Sequence, residues 1–261
     1  MTALPDDGRP IETDIYGATV ITQVGQPVGL FYGYKTDGVY ATTAEATADA
    51  HYILKQNGDR QYFEAGDMRI LDLSRQNNYD ISNTGQIDEN DRTIIGDPNP
   101  DIYGNIFTTL TYKKFALQAV MTYSLGHDVY NYQRSLLEGG SLFLNQTTAM
   151  QNRWNTEGQQ TDIPHVGYTD PMGNSRFSDR WIEDGSYLRL SNVTLSWHLP
   201  IQSTYLQGIT RWGSAQNLFT VTRYLGSDPD CAMAGGILSQ GIDRGLLGAG
   251  RSFSLGVNIN L

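Results

Sequence analysis

The sequence predicts an all-β fold, an antiparallel segment of about seven strands from a transmembrane β-barrel. Three observations predict this class. Apolar and polar residues alternate with a period of two, and tight turns alternate with very long connections. The 261 residues also include 16 Tyr and 28 Gly, a composition typical of β-structure with many turns. No stretch approaches the roughly 18 consecutive apolar residues of a transmembrane helix.

The period of two is clearest at the C-terminal end. From Phe253 to Leu261 every second residue is apolar, and the residues between are Ser, Gly or Asn. Successive side chains of a strand point to opposite faces, so one face of this strand is apolar. Residues 193–199 repeat the pattern, and residues 115–123 follow it more loosely because Val120 interrupts the other face. The helical spacing i, i+3, i+4, i+7 does not appear in these windows.

The same criteria give a map of the whole chain. The predicted strands are 14–24, 28–36, 102–112, 115–126, 185–199, 208–222 and 249–261. Short turns are predicted at 25–27, at Lys113-Lys114 and at 200–207, and long connections at 37–101, 127–184 and 223–248. The best helix candidate is a short loop helix within Thr43 to Leu54.

This alternation of turns and loops favours a membrane barrel. A compact soluble domain rarely contains structureless connections of about 60 residues, whereas outer-membrane barrels combine short periplasmic turns with long outer loops. A soluble β-sandwich with large insertions is the open alternative. Single-chain bacterial barrels have even strand numbers from about eight upward, and an open sheet edge is costly in lipid. We therefore expect a larger barrel, with Met1 as an internal or artificial start and no signal peptide.

The charge is strongly acidic and unevenly distributed. The 18 basic and 28 acidic residues give a net charge of −10, which argues against nucleic acid as a partner. The predicted acidic outer loop, 37–101, carries thirteen acidic and five basic residues. It is either a solvated loop or the place of a cation site. The single cysteine, Cys231, excludes a disulfide scaffold and a multi-cysteine metal site.

The strongest metal candidate lies at residues 80–91. An EF-hand-type calcium loop places oxygen ligands at positions 1, 3, 5, 7, 9 and 12, with glycine at position 6. With Gly85 at position 6, the ligands would be Asp80, Ser82, Thr84, the backbone carbonyl of Gln86, Asp88 and Asp91. The hydroxyls at positions 3 and 5 predict weak affinity of the extracellular type. An Asx-rich turn without metal is the alternative.

The sequence predicts no enzyme and no catalytic residue. Its four His residues form neither an HExxH motif nor a His-x₃-His pair. Of the Trp residues, Trp197 and Trp212 lie near the short-turn side of the map and favour an interfacial aromatic girdle. Trp154 lies in a long loop and is the candidate substrate-binding residue, because its ring could stack on a sugar ring.

Several short strings stand in an order that resembles one protein family. They are residues 31–38 (FYGYKTDG), 87–92 (IDENDR), 95–100 (IGDPNP), 153–158 (RWNTEG), 181–190 (WIEDGSYLRL), 216–220 (QNLFT) and 228–230 (DPD). Together they resemble the C-terminal barrel of the SusC/RagA family of TonB-dependent outer-membrane transporters of Bacteroidetes. The resemblance extends from about residue 25 to residue 261. Leu261 departs from it, because such barrels usually end in an aromatic residue.

The resemblance implies that residues 1–261 are the C-terminal part of a 22-stranded receptor barrel, without its plug domain and N-terminal strands. Such a receptor imports oligosaccharides or other oligomeric nutrients, peptides included, across the bacterial outer membrane. It implies as partners the remaining strands and plug, a SusD-like surface lipoprotein and, through the missing plug region, the TonB complex. No cofactor is required, and Ca²⁺ is the one candidate. The alternative is a soluble secreted β-domain that binds glycans through aromatic loops.

Overall fold

The computed structural model describes residues 9–73, 85–201, 208–230, 236 and 239–260. They belong to two compact units. The loop unit comprises Met1–Pro98, Val129–Glu183 and Ala232–Gly245, and the sheet unit comprises Asn99–Asp128, Asp184–Cys231 and Leu246–Leu261. Among the described residues, no helix is both long enough and apolar enough to span a membrane.

Seventeen strands, two α-helices and three short 3-10 turns make up the described secondary structure. The strands are β1 (Ile11–Ile15), β2 (Ala18–Thr22), β3 (Leu30–Gly33), β4 (Thr36–Val39), β5 (Tyr52–Leu54), β6 (Arg60–Tyr62), β7 (Met68–Ile70), β8 (Thr93–Gly96), β9 (Ile102–Tyr112), β10 (Phe115–Leu125), β11 (Asp128–Asn131), β12 (Ile182–Asp184), β13 (Tyr187–Pro200), β14 (Gly208–Gln216), β15 (Thr220–Thr222), β16 (Ile242–Asp243) and β17 (Ser252–Asn260). The helices are α1 (Thr43–Asp49) and α2 (Tyr132–Glu138), and the 3-10 turns are Glu89–Asp91, Thr148–Asn152 and Asp179–Trp181.

The sheet unit is one antiparallel sheet of five long strands in the order β17-β14-β13-β10-β9, and the short β15 also pairs with β13. The predicted hairpin is confirmed, because Tyr112 pairs with Phe115 across Lys113-Lys114. Lys113 adopts φ 53° at this turn. The all-β, antiparallel class predicted from the alternation is therefore confirmed.

The strand register aligns apolar residues of β9, β10, β13 and β17 on one face, and β14 contributes Gly213 and Arg211 to that face. Leu255 pairs with Gly213, Gly213 with Leu195, Leu195 with Leu117, and Leu117 with Leu110. Leu255 is 90% exposed and Leu195 is 52% exposed within the chain. Exposure of so large an apolar face to water is unfavourable. Lipid or another part of a protein must therefore cover it.

The register separates the two tryptophans assigned to an aromatic girdle. Trp197 lies on the apolar face, where its ring stacks on Phe115 with the ring centroids 6.0 Å apart. Trp212 pairs with Ser196 and Gly256 on the opposite, polar face. A Cβ at Gly256 would lie 2.4 Å from the indole of Trp212, so glycine makes room for this ring. Trp197 and Trp212 therefore lie on opposite faces of the sheet, and the girdle assignment of Trp212 stays a prediction.

Two of the seven predicted strands are not part of this sheet. The predicted strand 14–24 contains a turn at Tyr16-Gly17, where φ is 51° and 77°, so the chain reverses between β1 and β2. The predicted strand 28–36 contains β3 and the first residue of β4. The strands β1, β2, β3 and β8 pair in a separate four-stranded sheet of the loop unit.

The predicted acidic loop, 37–101, carries elements and a core of its own. Helix α1 confirms the short loop helix, and Thr42 caps it by accepting a hydrogen bond from the backbone N–H of Glu45 at 3.2 Å. Tyr40, Phe63 and Ile70 belong to an apolar cluster in which each is at most 4% exposed. This burial explains how residues 37–73 and 85–101 of so long a connection keep a defined structure.

Candidate functional site

The loop unit contains a cavity of about 820 Å³, a volume within the range of small-molecule sites. Three separate stretches of chain line it: the start of α1, the segment after β6, and the segment that follows the 3-10 turn Thr148–Asn152. The lining residues are Thr43, Thr47, Tyr62, Phe63, Glu64, Ala65, Arg153, Trp154, Asn155, Glu157, His165 and Val166. The candidate substrate-binding residue, Trp154, is among them.

Trp154 is held at the cavity by its backbone and its side chain. Its indole Nε1–H donates to the carbonyl oxygen of Ala41 at 3.2 Å, and its backbone N–H donates to the carbonyl oxygen of Ile163 at 2.9 Å. The His165 ring meets the Trp154 ring edge to face, with the centroids 6.5 Å apart. These contacts fix the orientation of the indole before any ligand binds.

Gly66 packs closely against the indole ring of Trp154. Its φ is +90°, a backbone conformation that L side chains rarely adopt, and a Cβ there would lie 2.5 Å from Cε3 of Trp154. Its backbone N–H donates to the carbonyl oxygen of Tyr40 at 2.8 Å, and its own carbonyl oxygen accepts from the backbone N–H of His165 at 2.8 Å. Glycine is therefore required here for both conformation and space.

A buried carboxylate lies beneath His165. Asp67 is 1% exposed and accepts hydrogen bonds from the Asn174 side-chain amide and from the backbone N–H of Glu64, both at 2.8 Å. Burial raises the pKa of Asp67, although both hydrogen bonds oppose that rise. The Nδ1 atom of His165 lies 3.7 Å from Oδ1 of Asp67.

Glu157 joins the loop around Trp154 to helix α1. Its carboxylate accepts a hydrogen bond from the backbone N–H of Thr43 at 2.7 Å and another from the Thr43 hydroxyl at 3.2 Å. A carboxylate at the first turn of a helix also interacts favourably with the free backbone N–H groups there. Arg153, the cation of the lining, donates through Nη1 to the carbonyl oxygen of Met150 at 3.1 Å.

Half of the predicted calcium ligands lie within the described chain. Asp80, Ser82 and Thr84 lie outside the described residues. Asp88 and Asp91 form a capping box around the 3-10 turn Glu89–Asp91, and Gln86 donates through Nε2 to Asp88 at 3.1 Å. Within the described ranges, no group of three or more His, Cys, Asp or Glu is arranged to hold a metal ion. The calcium loop stays a prediction.

The sheet unit contains a partly buried ion-pair cluster that was not predicted from the sequence. Arg189 is 6% exposed and pairs with Asp228 and, at 3.4 Å, with Asp230. Its Nε also donates to the hydroxyl of Thr220 at 3.1 Å. The Asp228-Pro229-Asp230 string is the sequence signal that could have indicated it. The cluster attaches residues 228–230 to β13.

The cavity itself could not be read from the sequence. Its three stretches are separated by many residues, and the contacts that join them are hydrogen bonds such as Glu157 to Thr43 and Trp154 to Ala41. Of its lining, only Trp154 was predicted. Gly66 is the one position whose residue type could have raised attention, but a lone glycine does not specify what packs against it.

No protein-family model matches the chain. Among curated proteins, it is 32% identical over 251 residues to TonB-dependent receptor P3 of Formosa agariphila, a match that covers 92% of this chain and 23% of that receptor. It is 26% identical over 187 residues to TonB-dependent receptor SusC of Bacteroides thetaiotaomicron, covering 69% of this chain and 17% of SusC. The chain thus spans about a quarter or less of the length of these relatives.

Solved structures show the same fold. The chain superimposes on part of the RagAB peptide importer in its closed-closed state with a TM-score of 0.67 and 21% identity, covering 96% of this chain and 24% of that one. The open-open state of the same importer gives a TM-score of 0.66 over 99% of this chain. The resemblance inferred from short strings is therefore confirmed. The chain is related over 92% of its length to a segment of one TonB-dependent receptor, and over 69% of its length to a segment of SusC.

Proposed function

We propose that this chain is part of a TonB-dependent importer of oligomeric nutrients in the bacterial outer membrane. In this proposal the sheet unit contributes five strands to the barrel wall, and the predicted outer loops contact the substrate. The observation that carries the proposal is the 251-residue match to a TonB-dependent receptor. It has a physical counterpart in the face on which apolar residues of β9, β10, β13 and β17 align.

The geometry of the sheet supports a place in a membrane. Its long strands have 9 to 14 residues, enough to cross the hydrocarbon layer when tilted. Leu255 and Phe253 are exposed on one face of β17 while Ser254 lies on the other. This apolar-out, polar-in alternation is the pattern of transmembrane barrels.

In lipid, the edge strands of an open sheet must pair with further strands, because each unpaired backbone N–H or C=O group there costs free energy. The proposed neighbours are the remaining strands of the same receptor, which also supplies the plug that TonB acts on. A SusD-like surface lipoprotein is the proposed partner of the outer loops. Substrates are oligosaccharides or peptides, and no chemical conversion is assigned to the chain.

Calcium binding at residues 80–91 is a separate proposal. Asp88 and Asp91 are the proposed carboxylate ligands of that loop that lie within the described chain. If the loop holds Ca²⁺, the midpoint of thermal unfolding rises in millimolar CaCl₂ and falls again with a chelator. Asp80→Asn removes that response. If neither CaCl₂ nor the chelator changes the midpoint of thermal unfolding, the Asx-rich turn without metal is the correct interpretation.

The proposed function is tested in cells of the source organism with an antibody raised against residues 148–166. The chain is expected in the outer-membrane fraction after carbonate extraction, and the antibody is expected to label intact cells. Carbonate removes peripheral proteins but leaves integral ones. Recovery of the chain in the periplasm or the culture medium would contradict the proposal and favour the soluble glycan-binding domain.

A further inference from the structure

We propose that the 820 Å³ cavity of the loop unit binds a neutral oligosaccharide, with Tyr62 and Trp154 as its aromatic surfaces. This inference deepens the proposed function, on which it rests, by naming the class of ligand. It is carried by three properties of the lining. These are its aromatic side chains, its mixture of hydrogen-bonding groups with a net acidic charge, and its occupied backbone donors.

Two aromatic side chains of the lining could stack on a sugar ring. Trp154 is held by its hydrogen bond to Ala41, and Tyr62 is 49% exposed to solvent. Tyr62 also contacts Tyr52, with the ring centroids 5.6 Å apart. Pyranose rings carry C–H groups on their faces, and rigid aromatic rings cover such faces at little entropic cost.

The polar side chains of the lining combine donors and acceptors. Arg153 is a donor only, the Glu64 carboxylate is an acceptor only, and the His165 imidazole can be either. Within the part of the chain that the structure describes, the Glu64 carboxylate accepts no hydrogen bond. Hydroxyl groups both donate and accept, so a polyol can satisfy all three side chains at once.

The charge of the lining disfavours acidic ligands. Glu64 and Glu157 contribute two negative charges and Arg153 one positive charge. Asp67 lies behind His165 as a further carboxyl group in the wall, and burial raises its pKa. A uronate or sulfate ester would therefore meet net repulsion, whereas a neutral sugar would not.

Many backbone donors of the lining are already used within the chain. Peptides that add to a sheet edge pair with free backbone N–H and C=O groups. Here the backbone N–H groups of seven lining positions donate within the chain. These are Thr43, Phe63, Glu64, Arg153, Trp154, Asn155 and His165. Few backbone donors remain for an extended peptide, which favours recognition by side chains and hence a saccharide.

The test is binding of defined probes to the full chain in detergent micelles, followed by tryptophan fluorescence and calorimetry. The neutral probes are malto-, cello-, laminari-, manno- and xylohexaose. The size-matched competitors are hexagalacturonate and hexaalanine. At least one neutral hexasaccharide is expected to bind, and Trp154→Ala or Tyr62→Ala is expected to weaken that binding by about ten-fold or more, corresponding to loss of one stacking surface.

Two further variants complete the test. The first separates loss of binding from loss of folding, and the second tests the role of charge. Trp212→Phe changes a tryptophan of the sheet unit and should leave affinity unchanged. Glu64→Gln keeps the shape of the wall and should weaken neutral binding while improving tolerance of hexagalacturonate. Each variant is compared with wild type by circular dichroism and thermal unfolding before binding is measured.

Three results would overturn the inference: no neutral probe binds at millimolar concentration, only hexagalacturonate or hexaalanine binds, or neutral binding is unchanged in both aromatic variants. None of these results bears on the membrane location of the chain. Failure of the saccharide assignment is therefore distinguishable from failure of the importer proposal, which the cell fractionation tests.

Discussion

Trp154 donates its indole N–H to the backbone carbonyl oxygen of Ala41, 113 residues earlier in the chain, at 3.2 Å. Ala41 immediately precedes Thr42, the N-cap of α1, so this bond fixes the tryptophan to the entrance of the helix. Glu157 fastens the same loop to Thr43. A binding surface built this way is organised before the ligand arrives, which lowers the entropic cost of binding.

Gly66→Ala tests the close approach of Gly66 to Trp154. We expect a loss in the free energy of unfolding about 1–3 kcal/mol larger than that of Gly58→Ala, measured by urea titration in detergent. Gly58 is the matched control, since its φ is +86° and a Cβ there would have no atom within 4 Å, whereas a Cβ at Gly66 would clash with the indole. Equal losses in the two variants would refute the steric role.

Asp67→Asn tests the buried carboxylate. Because burial raises the pKa of Asp67 above its ordinary value of 3.8, the folded state holds a proton that the unfolded state has released in the range just above pH 4. Stability should therefore fall as pH rises through the interval between the unfolded and the folded pKa. Asp67→Asn should flatten this part of the profile of unfolding midpoint against pH.

The control for Asp67 is Asp59→Asn, since Asp59 is exposed. It should leave the slope of the wild-type profile intact across the same pH interval. Asp67→Asn is also expected to lower stability at all pH values, because an amide cannot accept from both Asn174 and the backbone N–H of Glu64 as a carboxylate does. A wild-type profile that rises with pH across this interval would contradict the assigned direction.

Arg189→Met tests the ion-pair cluster of the sheet unit. Removing the guanidinium leaves Asp228 and Asp230 without their shared cation, and we expect a loss of about 3 kcal/mol in the free energy of unfolding. Limited proteolysis should then cut residues 223–230 faster. Arg223→Met, an exposed cation of the same segment, should have little effect on either measurement.

Leu255→Arg tests the apolar face. An arginine on the lipid side near mid-membrane costs about 2–4 kcal/mol, so less chain should be recovered in the outer-membrane fraction. Ser254→Arg places the same charge on the opposite face of β17 and should be tolerated better. Immunoblots of the outer-membrane fraction measure both. Equal depletion in the two variants would argue against a lipid-facing side.

The long strands could be predicted because their signal is local. Lys113-Lys114 lies between two alternating stretches, and the hairpin β9-β10 follows from that pattern alone. The turn at Tyr16-Gly17 was missed, because β-branched and apolar residues continue on both sides of it and suggest one strand. Alternation reports which residues share a face, but not where a chain reverses when the turn residues are ordinary ones.

The candidate site was only partly predictable for a related reason. Trp154 could be singled out by its residue type and its place in a long loop. Its partners Ala41 and Gly66 could not, because nothing local indicates that these distant positions meet. The apolar cluster of the segment 37–101 likewise includes a residue from far away in the sequence, because Met172 belongs to the same cluster as Tyr40.

The central claim is that β17 crosses a membrane with Phe253, Leu255, Val257 and Ile259 towards lipid. The most direct test is a cysteine scan of this strand in a Cys231→Ser background, labelled in outer-membrane vesicles with a water-soluble maleimide. We predict an alternating profile, in which cysteines at these four positions are protected and those at Ser254 and Asn258 react. Uniform labelling along residues 253–259 would contradict the claim.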